Sequence, residues 1–130
     1  MNTKKTVLIT DDDADYLFQL KTMVESFGYN VITADSPAES EEIFNAQKPD
    51  LAIFDLMMDA DDSGFVLTYK IKRKYPDVPV IIATAVAAET GVSFNLDSDI
   101  SRQWIKADLY LEKGLRPDQL HREINRLLKL

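Results

Sequence analysis

The feature that most constrains the fold is a set of short, unbroken apolar runs, of which residues 51–54 are the clearest. This run is bounded by Lys48-Pro49-Asp50 before it and by an acidic stretch, 59–64, after it. Such a run suits a strand buried on both faces of a parallel sheet. Asp55 follows directly. Because the carboxyl ends of strands form the ligand crevice of an open α/β sheet, Asp55 is expected to serve chemistry rather than packing.

Strands and helices are expected to alternate along the chain. The sequence predicts strands at residues 6–10, 29–34, 51–54, 78–83 and 109–111, and helices at 14–27, 37–48, 65–75 and 117–128. The helical segments have apolar residues at three- and four-residue spacing. This alternation predicts a parallel sheet with right-handed crossovers. Residues 85–107 have no clear helical pattern, so an extended, atypical segment is expected around the helix that would connect the fourth and fifth strands, the fourth helix of a regular alternation.

Composition limits the class of protein. A chain of 130 residues corresponds to one domain. Its net charge of −7 disfavours direct binding to nucleic acid or to anionic lipid. The first apolar run is too short for a signal peptide or a membrane span, so a cytoplasmic location is expected.

Polar side chains stand at the ends of four of the five predicted strands. These residues are Asp11 and Asp12, Asp55, Thr84 and Lys113. Crowded carboxylates repel one another unless a cation lies among them, and oxygen ligands suit Mg²⁺. Lys113 and Thr84 supply a charge and a hydroxyl for a phosphoryl group on Asp55. The set predicts phosphoryl transfer to a carboxylate.

On these residues the chain resembles the receiver domains of two-component response regulators. The matching segments are VLIT before Asp11-Asp12, PDLAIFD ending in Asp55, VIIATA with Thr84, and YLEK with Lys113. The resemblance covers nearly the whole length. It implies a flavodoxin-like, doubly wound sheet of five strands in the order 2-1-3-4-5, with helices on both faces. A single receiver domain over residues 1–130, with no output domain, is expected.

The resemblance also implies a role for each residue of the site. Asp55 is expected to be the phosphoacceptor and Lys113 to hold the phosphate. Mg²⁺ is expected to bind Asp12, Asp55 and the backbone carbonyl of Met57, with Asp11 acting through water.

Two further pairs of residues are expected to control the response. Thr84 and Tyr110 would be the switch pair, in which Thr84 turns toward the phosphate and the Tyr110 ring follows. Met57 and Val86 occupy positions that in this family border the water that hydrolyses the acyl phosphate. Both are apolar in this chain, and they are expected to shield the phosphate so that its hydrolysis is slow.

The chain departs from the family pattern at several positions. Asp59 stands where a proline is usual, and Gly64 falls about one residue late. Gly114 replaces the proline that usually follows the lysine, so a trans Lys113-Gly114 bond and a less firmly oriented Lys113 are expected. Thr84 and Lys113 are 29 residues apart, several more than is typical.

The leading hypothesis is a Mg²⁺-dependent signalling domain, not an enzyme in the usual sense. Its expected phosphoryl donor is a histidine kinase or a phosphotransfer protein. Its expected output is a protein contact through the face formed by residues 85–128, in trans or as a homodimer. The alternative is a pseudo-receiver, which binds partners without phosphorylation. A haloacid dehalogenase-like phosphohydrolase and an FMN carrier fit the segment 11–15 less well.

Plainer interpretations exist for individual residues. The acidic run 11–13 could cap the first helix, since carboxylates favour helix N-termini. Thr84 could satisfy a strand end, and Tyr110 could simply pack. His121 falls at a polar position of the last helix and is expected to be solvated.

Overall fold

The computed structural model describes residues 4–56, 58, 63–84, 107–113 and 116–129. Within these ranges strands and helices alternate from β1 to β4, as the sequence predicts, and β5 is followed by a helix. The elements are β1 (Thr6–Thr10), α1 (Ala14–Ser26), β2 (Asn30–Ala34), α2 (Pro37–Ala46), β3 (Leu51–Asp55), α3 (Ser63–Lys74), β4 (Val80–Thr84), β5 (Leu109–Glu112) and α4 (Pro117–Leu128).

The strands form one parallel sheet in the order β2-β1-β3-β4-β5, which confirms the predicted flavodoxin-like topology. The register pairs Thr10 with Phe54 and Asp55 with Ala83. Thr84 pairs in turn with Glu112. The carboxyl ends of the four strands that carry the predicted site residues are therefore level at one edge.

Alternate residues of each strand pack on opposite faces of the sheet. One face is covered by α1 and α4, and its buried cluster, here called the α1/α4 cluster, includes Val7, Ile9, Leu51, Ile53 and Ile81. The other is covered by α2 and α3, and its α2/α3 cluster includes Leu8, Ala52, Phe54, Val80 and Ile82. β3 is buried along its whole length, as a strand covered on both faces must be.

Local signals begin the helices where the sequence places them. Asp13 caps α1 by accepting hydrogen bonds from the N–H groups of Asp15 and Tyr16. Ser36 caps α2 by accepting from the Glu39 N–H, and the Glu39 carboxylate accepts from the Asp35 N–H. In a capping box the Glu39 carboxylate would accept from the N–H of the cap residue Ser36. Here it accepts from the N–H of the residue before, Asp35.

A few boundaries differ from the sequence prediction. β4 begins at Val80, because Val78 still belongs to the turn that donates to the Tyr75 carbonyl. α3 begins at Ser63, two residues before the predicted start. The expectations for Met57, Val86, Asp59, Gly114 and the segment 85–106 lie outside the described residues. In the part of the chain that is described, no helix has the length and apolarity of a membrane span.

Candidate functional site

Three carboxylates meet at the carboxyl edge of the sheet. Asp11 and Asp12 follow β1, and Asp55 is the last residue of β3. Each offers an oxygen, and these three oxygens lie within 4.8 Å of one another. Asp11 and Asp55 are only 1% and 6% exposed, whereas Asp12 is exposed. The site therefore has two buried acidic groups and one that faces solvent.

Strand alternation explains why these side chains meet. Asp11 continues the alternate set of Val7 and Ile9, and Asp55 continues the set of Leu51 and Ile53. Both sets belong to the α1/α4 face. Lys113 follows β5 at the position that continues this same alternation. The buried acids and the lysine thus project from one side of one sheet edge.

Lys113 bridges the two buried acids. Its Nζ lies 2.8 Å from Oδ2 of Asp11 and 3.1 Å from Oδ1 of Asp55. Its backbone N–H donates to the Thr84 carbonyl at 2.9 Å. Both the backbone and the ammonium group of Lys113 therefore have partners, and the less firm orientation expected from the following glycine stays a prediction. Whether the Lys113-Gly114 bond is trans lies outside the described residues.

The electrostatics of the site follow from burial and close charges. Burial, and next the charge of Asp11, raise the pKa of Asp55 from 3.8 to about 6, against the opposing effect of Lys113. Burial acts to lower the pKa of Lys113, but its bonds to Asp11 and Asp55 outweigh burial and raise that pKa. Lys113 therefore stays charged, and its ammonium is the shared counter-charge of Asp11 and Asp55.

The donor set fits a hard divalent cation. All three candidate ligands offer carboxylate oxygens, the ligand type that Mg²⁺ prefers, and the exposed Asp12 leaves room for water. One ammonium among three carboxylates leaves uncompensated negative charge. Asp11, Asp12 and Asp55 are therefore the residues that would hold the ion.

The predicted switch residues lie on the other face of the sheet. Thr84, only 3% exposed, continues the alternate set of Val80 and Ile82 in the α2/α3 cluster. The Tyr110 ring packs against this cluster and lies edge-on to Phe65, with centroids 6.4 Å apart. Burial raises the pKa of Tyr110 to about 12. Thr84 and Tyr110 therefore lie on the same face of the sheet. They are near the strand ends that carry the acidic residues, but on the opposite face.

Gly64 is a site-supporting residue whose role the sequence analysis missed. A Cβ at Gly64 would lie 2.6 Å from the Asp55 carbonyl oxygen and 2.8 Å from the Leu56 Cα. Its N–H donates to the Leu56 carbonyl at 2.8 Å. The start of α3 is thus held directly against the backbone of the acidic residue, an approach that only glycine permits. The sequence signal was a glycine nine residues after Asp55, noted above only for falling about one residue late.

Tyr16 is a second residue that the sequence analysis missed. Its ring lies beneath the ammonium of Lys113, with Nζ 4.6 Å from the ring centroid. Asp13, which caps the helix that carries Tyr16, fulfils the plainer interpretation of the acidic run, and Asp11 Oδ1 accepts from the Asp13 N–H. The run therefore serves both the helix start and the acidic site.

His121 is half-buried, whereas the sequence led us to expect a solvated side chain. Its ring stacks on Phe27 with centroids 4.3 Å apart and planes 3° from parallel. Tyr29 meets the His121 ring edge-on at 6.3 Å. His121 thus joins α4 to the end of α1, because the imidazole ring offers a flat apolar surface as well as polar nitrogens.

Comparison with known proteins adds sequence relatives. Residues 7–125 match the response regulator receiver domain family. The chain is 33% identical over 129 residues to the probable transcriptional regulator ycf27 of Guillardia theta, covering 99% of this chain and 47% of that protein. It is 44% identical over 79 residues to the transcriptional regulatory protein GlrR of Escherichia coli (strain K12), covering 61% of this chain and 18% of that protein. The chain spans about half or less of the length of these relatives.

Solved structures share the fold. A CheY-like response regulator receiver domain protein from Methanospirillum hungatei superposes with a TM-score of 0.82 at 25% identity, covering 98% of this chain and 95% of that one. The response regulator protein TrrA from Thermotoga maritima, solved in complex with Mg(2+)-BeF, has a TM-score of 0.77 at 27% identity, covering 95% of this chain and 98% of that one.

Proposed function

The chain belongs to the response regulator receiver domain family, and we propose that it accepts a phosphoryl group on Asp55 and alters a protein-binding surface in response. Receiver domains are signalling domains of two-component systems. The observation that carries the proposal is the bridged set of Asp11, Asp55 and Lys113, with Asp12 beside it. A structural role alone does not account for two buried carboxylates that share a single ammonium.

Asp55 is the nucleophile in this proposal. One carboxylate oxygen attacks the phosphorus of a phosphohistidine on a histidine kinase or phosphotransfer protein. The new O–P bond forms as the P–N bond breaks, and the imidazole leaves with the electron pair of that bond. A phosphoryl acceptor must be ionised, and the raised pKa of Asp55, about 6, still leaves it ionised at neutral pH.

Lys113 supplies a fixed positive charge for the transferred group. Its Nζ already lies 3.1 Å from Oδ1 of Asp55, so a phosphoryl oxygen attached there would lie within its reach. Bound Mg²⁺ would be held by Asp12, Asp55 and the proposed Met57 carbonyl, with Asp11 acting through water. It would neutralise the charge that develops on the phosphoryl oxygens.

The proposed output depends on Thr84 and Tyr110. Thr84 stands at the end of β4, next to β3, and its carbonyl accepts the Lys113 N–H at 2.9 Å. A phosphoryl group on Asp55 would add charge and strong acceptors at the end of the neighbouring strand, and the Thr84 hydroxyl is proposed to turn toward it. Movement of Thr84 would change the packing available to the Tyr110 ring on the same face, with Met57 and Val86 proposed to tune the lifetime of the phosphoryl group.

The proposed partners are proteins. A histidine kinase or phosphotransfer protein supplies the phosphoryl group, and a downstream protein or a second copy of the chain binds the face formed by residues 85–128. The net charge of −7 argues against direct contact between this domain and DNA, although the relatives are described as transcriptional regulators. A cytoplasmic location is proposed to accompany these roles.

The test uses Mg²⁺ with beryllofluoride, a phosphoryl analogue, and phosphoramidate as a small-molecule phosphoryl donor. Wild-type protein should show amide NMR shifts from Asp55 through Thr84 to Tyr110, and should gain one phosphoryl group by mass spectrometry. Asp55→Asn should abolish both responses. Asp77→Asn is a matched control, since Asp77 has a 70% exposed side chain that pairs with Lys48.

Two outcomes would overturn the proposal. If wild-type protein shows no metal-dependent response, the pseudo-receiver alternative replaces it. If Asp55→Asn responds like wild type, another residue accepts the phosphoryl group.

A further inference from the structure

We propose that Tyr16 is a positioning residue for Lys113, and that its aromatic face keeps the ammonium in place when Asp11 and Asp55 are engaged by metal and phosphoryl group. The inference rests on the proposed phosphoacceptor function and adds to it a residue that touches neither the phosphoryl group nor the metal.

The contact has the geometry of a cation–π interaction. The Lys113 Nζ lies over the Tyr16 ring, 4.6 Å from its centroid, well inside the range of about 6 Å for such contacts. The Lys113 side chain is 20% exposed, so the contact is largely shielded from water. Shielding strengthens the attraction between a cation and a ring face.

The Tyr16 ring is itself held by its surroundings. Its backbone N–H donates to the Asp13 carboxylate at 3.2 Å in the first turn of α1. Its side chain packs against the α1/α4 cluster. The ring therefore has a fixed place set by the helix cap and the core, whereas Lys113 has a long and flexible side chain.

Among the partners that hold the Lys113 ammonium, Tyr16 differs in one respect. Asp11 and Asp55 contact it at 2.8 and 3.1 Å, but both are also proposed to hold the metal, Asp55 directly and Asp11 through water. When they bind the ion, their attraction for the ammonium is divided. The ring has no role in binding metal or phosphoryl group, so its attraction persists through the reaction.

The backbone around Lys113 makes such a partner useful. The Lys113 N–H is fixed on the Thr84 carbonyl, but the next residue in the sequence is Gly114. Glycine restricts its backbone less than any other residue. Orientation of the ammonium therefore depends on side-chain contacts rather than on a stiff backbone after the lysine.

The contact itself is tested first, in metal-free protein. Aromatic rings shift the NMR signals of protons that lie over their faces, so the Lys113 ε-methylene protons should resonate upfield. Tyr16→Phe should keep this shift because it keeps the ring. Tyr16→Leu should abolish it. If the wild-type ε-methylene signal is unshifted, the contact is absent and the proposal fails.

The role is tested by titrating Mg²⁺ alone, and then beryllofluoride in saturating Mg²⁺. Tyr16→Leu should weaken beryllofluoride binding about three- to tenfold, and Tyr16→Phe should bind nearly as wild type does. Affinity for Mg²⁺ alone should not fall in Tyr16→Leu, because an ammonium repels the ion and its release does not weaken metal binding. A site that has merely loosened would lose affinity for both ligands.

Two further variants isolate the pair. Tyr29→Leu removes another tyrosine from the α1/α4 cluster and should leave beryllofluoride affinity unchanged. In a Lys113→Ala background, Tyr16→Leu should have no further effect, since the interaction it removes is already gone. An equal loss in both backgrounds would overturn the proposal.

Failure of this inference can be distinguished from failure of the proposed function. If wild type binds beryllofluoride and Tyr16→Leu binds it equally well, Tyr16 has no positioning role and the proposed function stands. If wild type does not bind beryllofluoride at all, the proposed function falls, and with it the positioning role, whatever the NMR shift shows.

Discussion

The two edges of the sheet treat carboxylates in opposite ways. At the amino edge, Asp50 and Asp108 each precede a strand and each satisfy the N–H that begins a neighbouring strand. Asp50 accepts from Thr6 at 2.7 Å, and Asp108 accepts from Val80 at 2.8 Å. In both cases the aspartate backbone N–H donates back to the carbonyl of that same residue, at 2.8 Å.

At the carboxyl edge the acids have too few donors for their charge. Asp11, Asp12 and Asp55 crowd together, and one ammonium bridges the two that are buried. The carboxylates of the amino edge stabilise strand pairing. Those of the carboxyl edge repel one another and need a further cation to balance their charge. Similar aspartates beside strands therefore have opposite energetic roles.

The largest expected effect is at Gly64, which supports the backbone of the carboxyl edge. Gly64→Ala should destabilise the protein by about 2–3 kcal/mol, because its Cβ would clash with backbone that cannot move aside. It should also weaken the response to beryllofluoride. Chemical denaturation and titration measure the two effects.

Gly28→Ala is the matched control. Gly28 has a φ of +99° but nothing within 4 Å of an added Cβ, so this substitution costs backbone strain alone, about 1 kcal/mol. It should leave the beryllofluoride response intact. Equal stability losses in the two variants would contradict the close approach at Gly64.

The amino edge should respond next. Asp50→Ala should destabilise the protein by about 1–2 kcal/mol, because it leaves the N–H that begins β1 without its acceptor. Asp77→Ala removes an exposed carboxylate from an ion pair with Lys48 and should cost nothing measurable. Urea denaturation measures the free energy of unfolding of both variants. Similar losses of stability in Asp50→Ala and Asp77→Ala would refute a structural role for Asp50.

The smallest effect should have the opposite sign. Asp55→Asn should stabilise the metal-free protein at pH 7.5 by about 1 kcal/mol, since it removes a buried charge while Lys113 keeps Asp11 as its partner. Burial raises the pKa of Asp55 from 3.8 to about 6, so the folded state holds this proton more tightly than the unfolded state. Ionisation of Asp55 therefore lowers the stability of the folded protein. This loss of stability is absent below pH 3.8 and complete above about pH 6.

Denaturation in EDTA at several pH values measures this effect. The stability of wild type relative to Asp55→Asn should fall as the pH rises from about 4 to about 6. If wild type is more stable than Asp55→Asn at pH 7.5 without metal, the prediction is wrong, and Asp55 stabilises the fold as the acids of the amino edge do.

Much of the fold could be predicted because its signals are local. Solid apolar runs such as 51–54 identified strands, and Ser36-Pro37 identified the start of α2. The positions of Asp11, Asp55 and Lys113 at strand ends followed from the same pattern. The roles of these residues remain predictions, and those of Met57 and Val86 lie outside the described residues.

Other features could not be predicted because they depend on distant segments. The sequence contained no sign that Asp108 would satisfy Val80, or that His121 would stack on Phe27 across two helices. A polar position in a helical pattern predicts solvent when no tertiary neighbour is known. Packing placed an aromatic ring there instead.

The sequence by itself determined which chemical groups this protein brings to the carboxyl edge, since strand periodicity and strand ends are properties of short segments. Only the tertiary structure decided how those groups balance one another. Lys113 bridges Asp11 and Asp55, and Tyr16 lies beneath Lys113, because Lys113 follows β5 on the face of the sheet that α1 covers. Burial, charge and aromatic contact at this site arise from residues far apart in the chain.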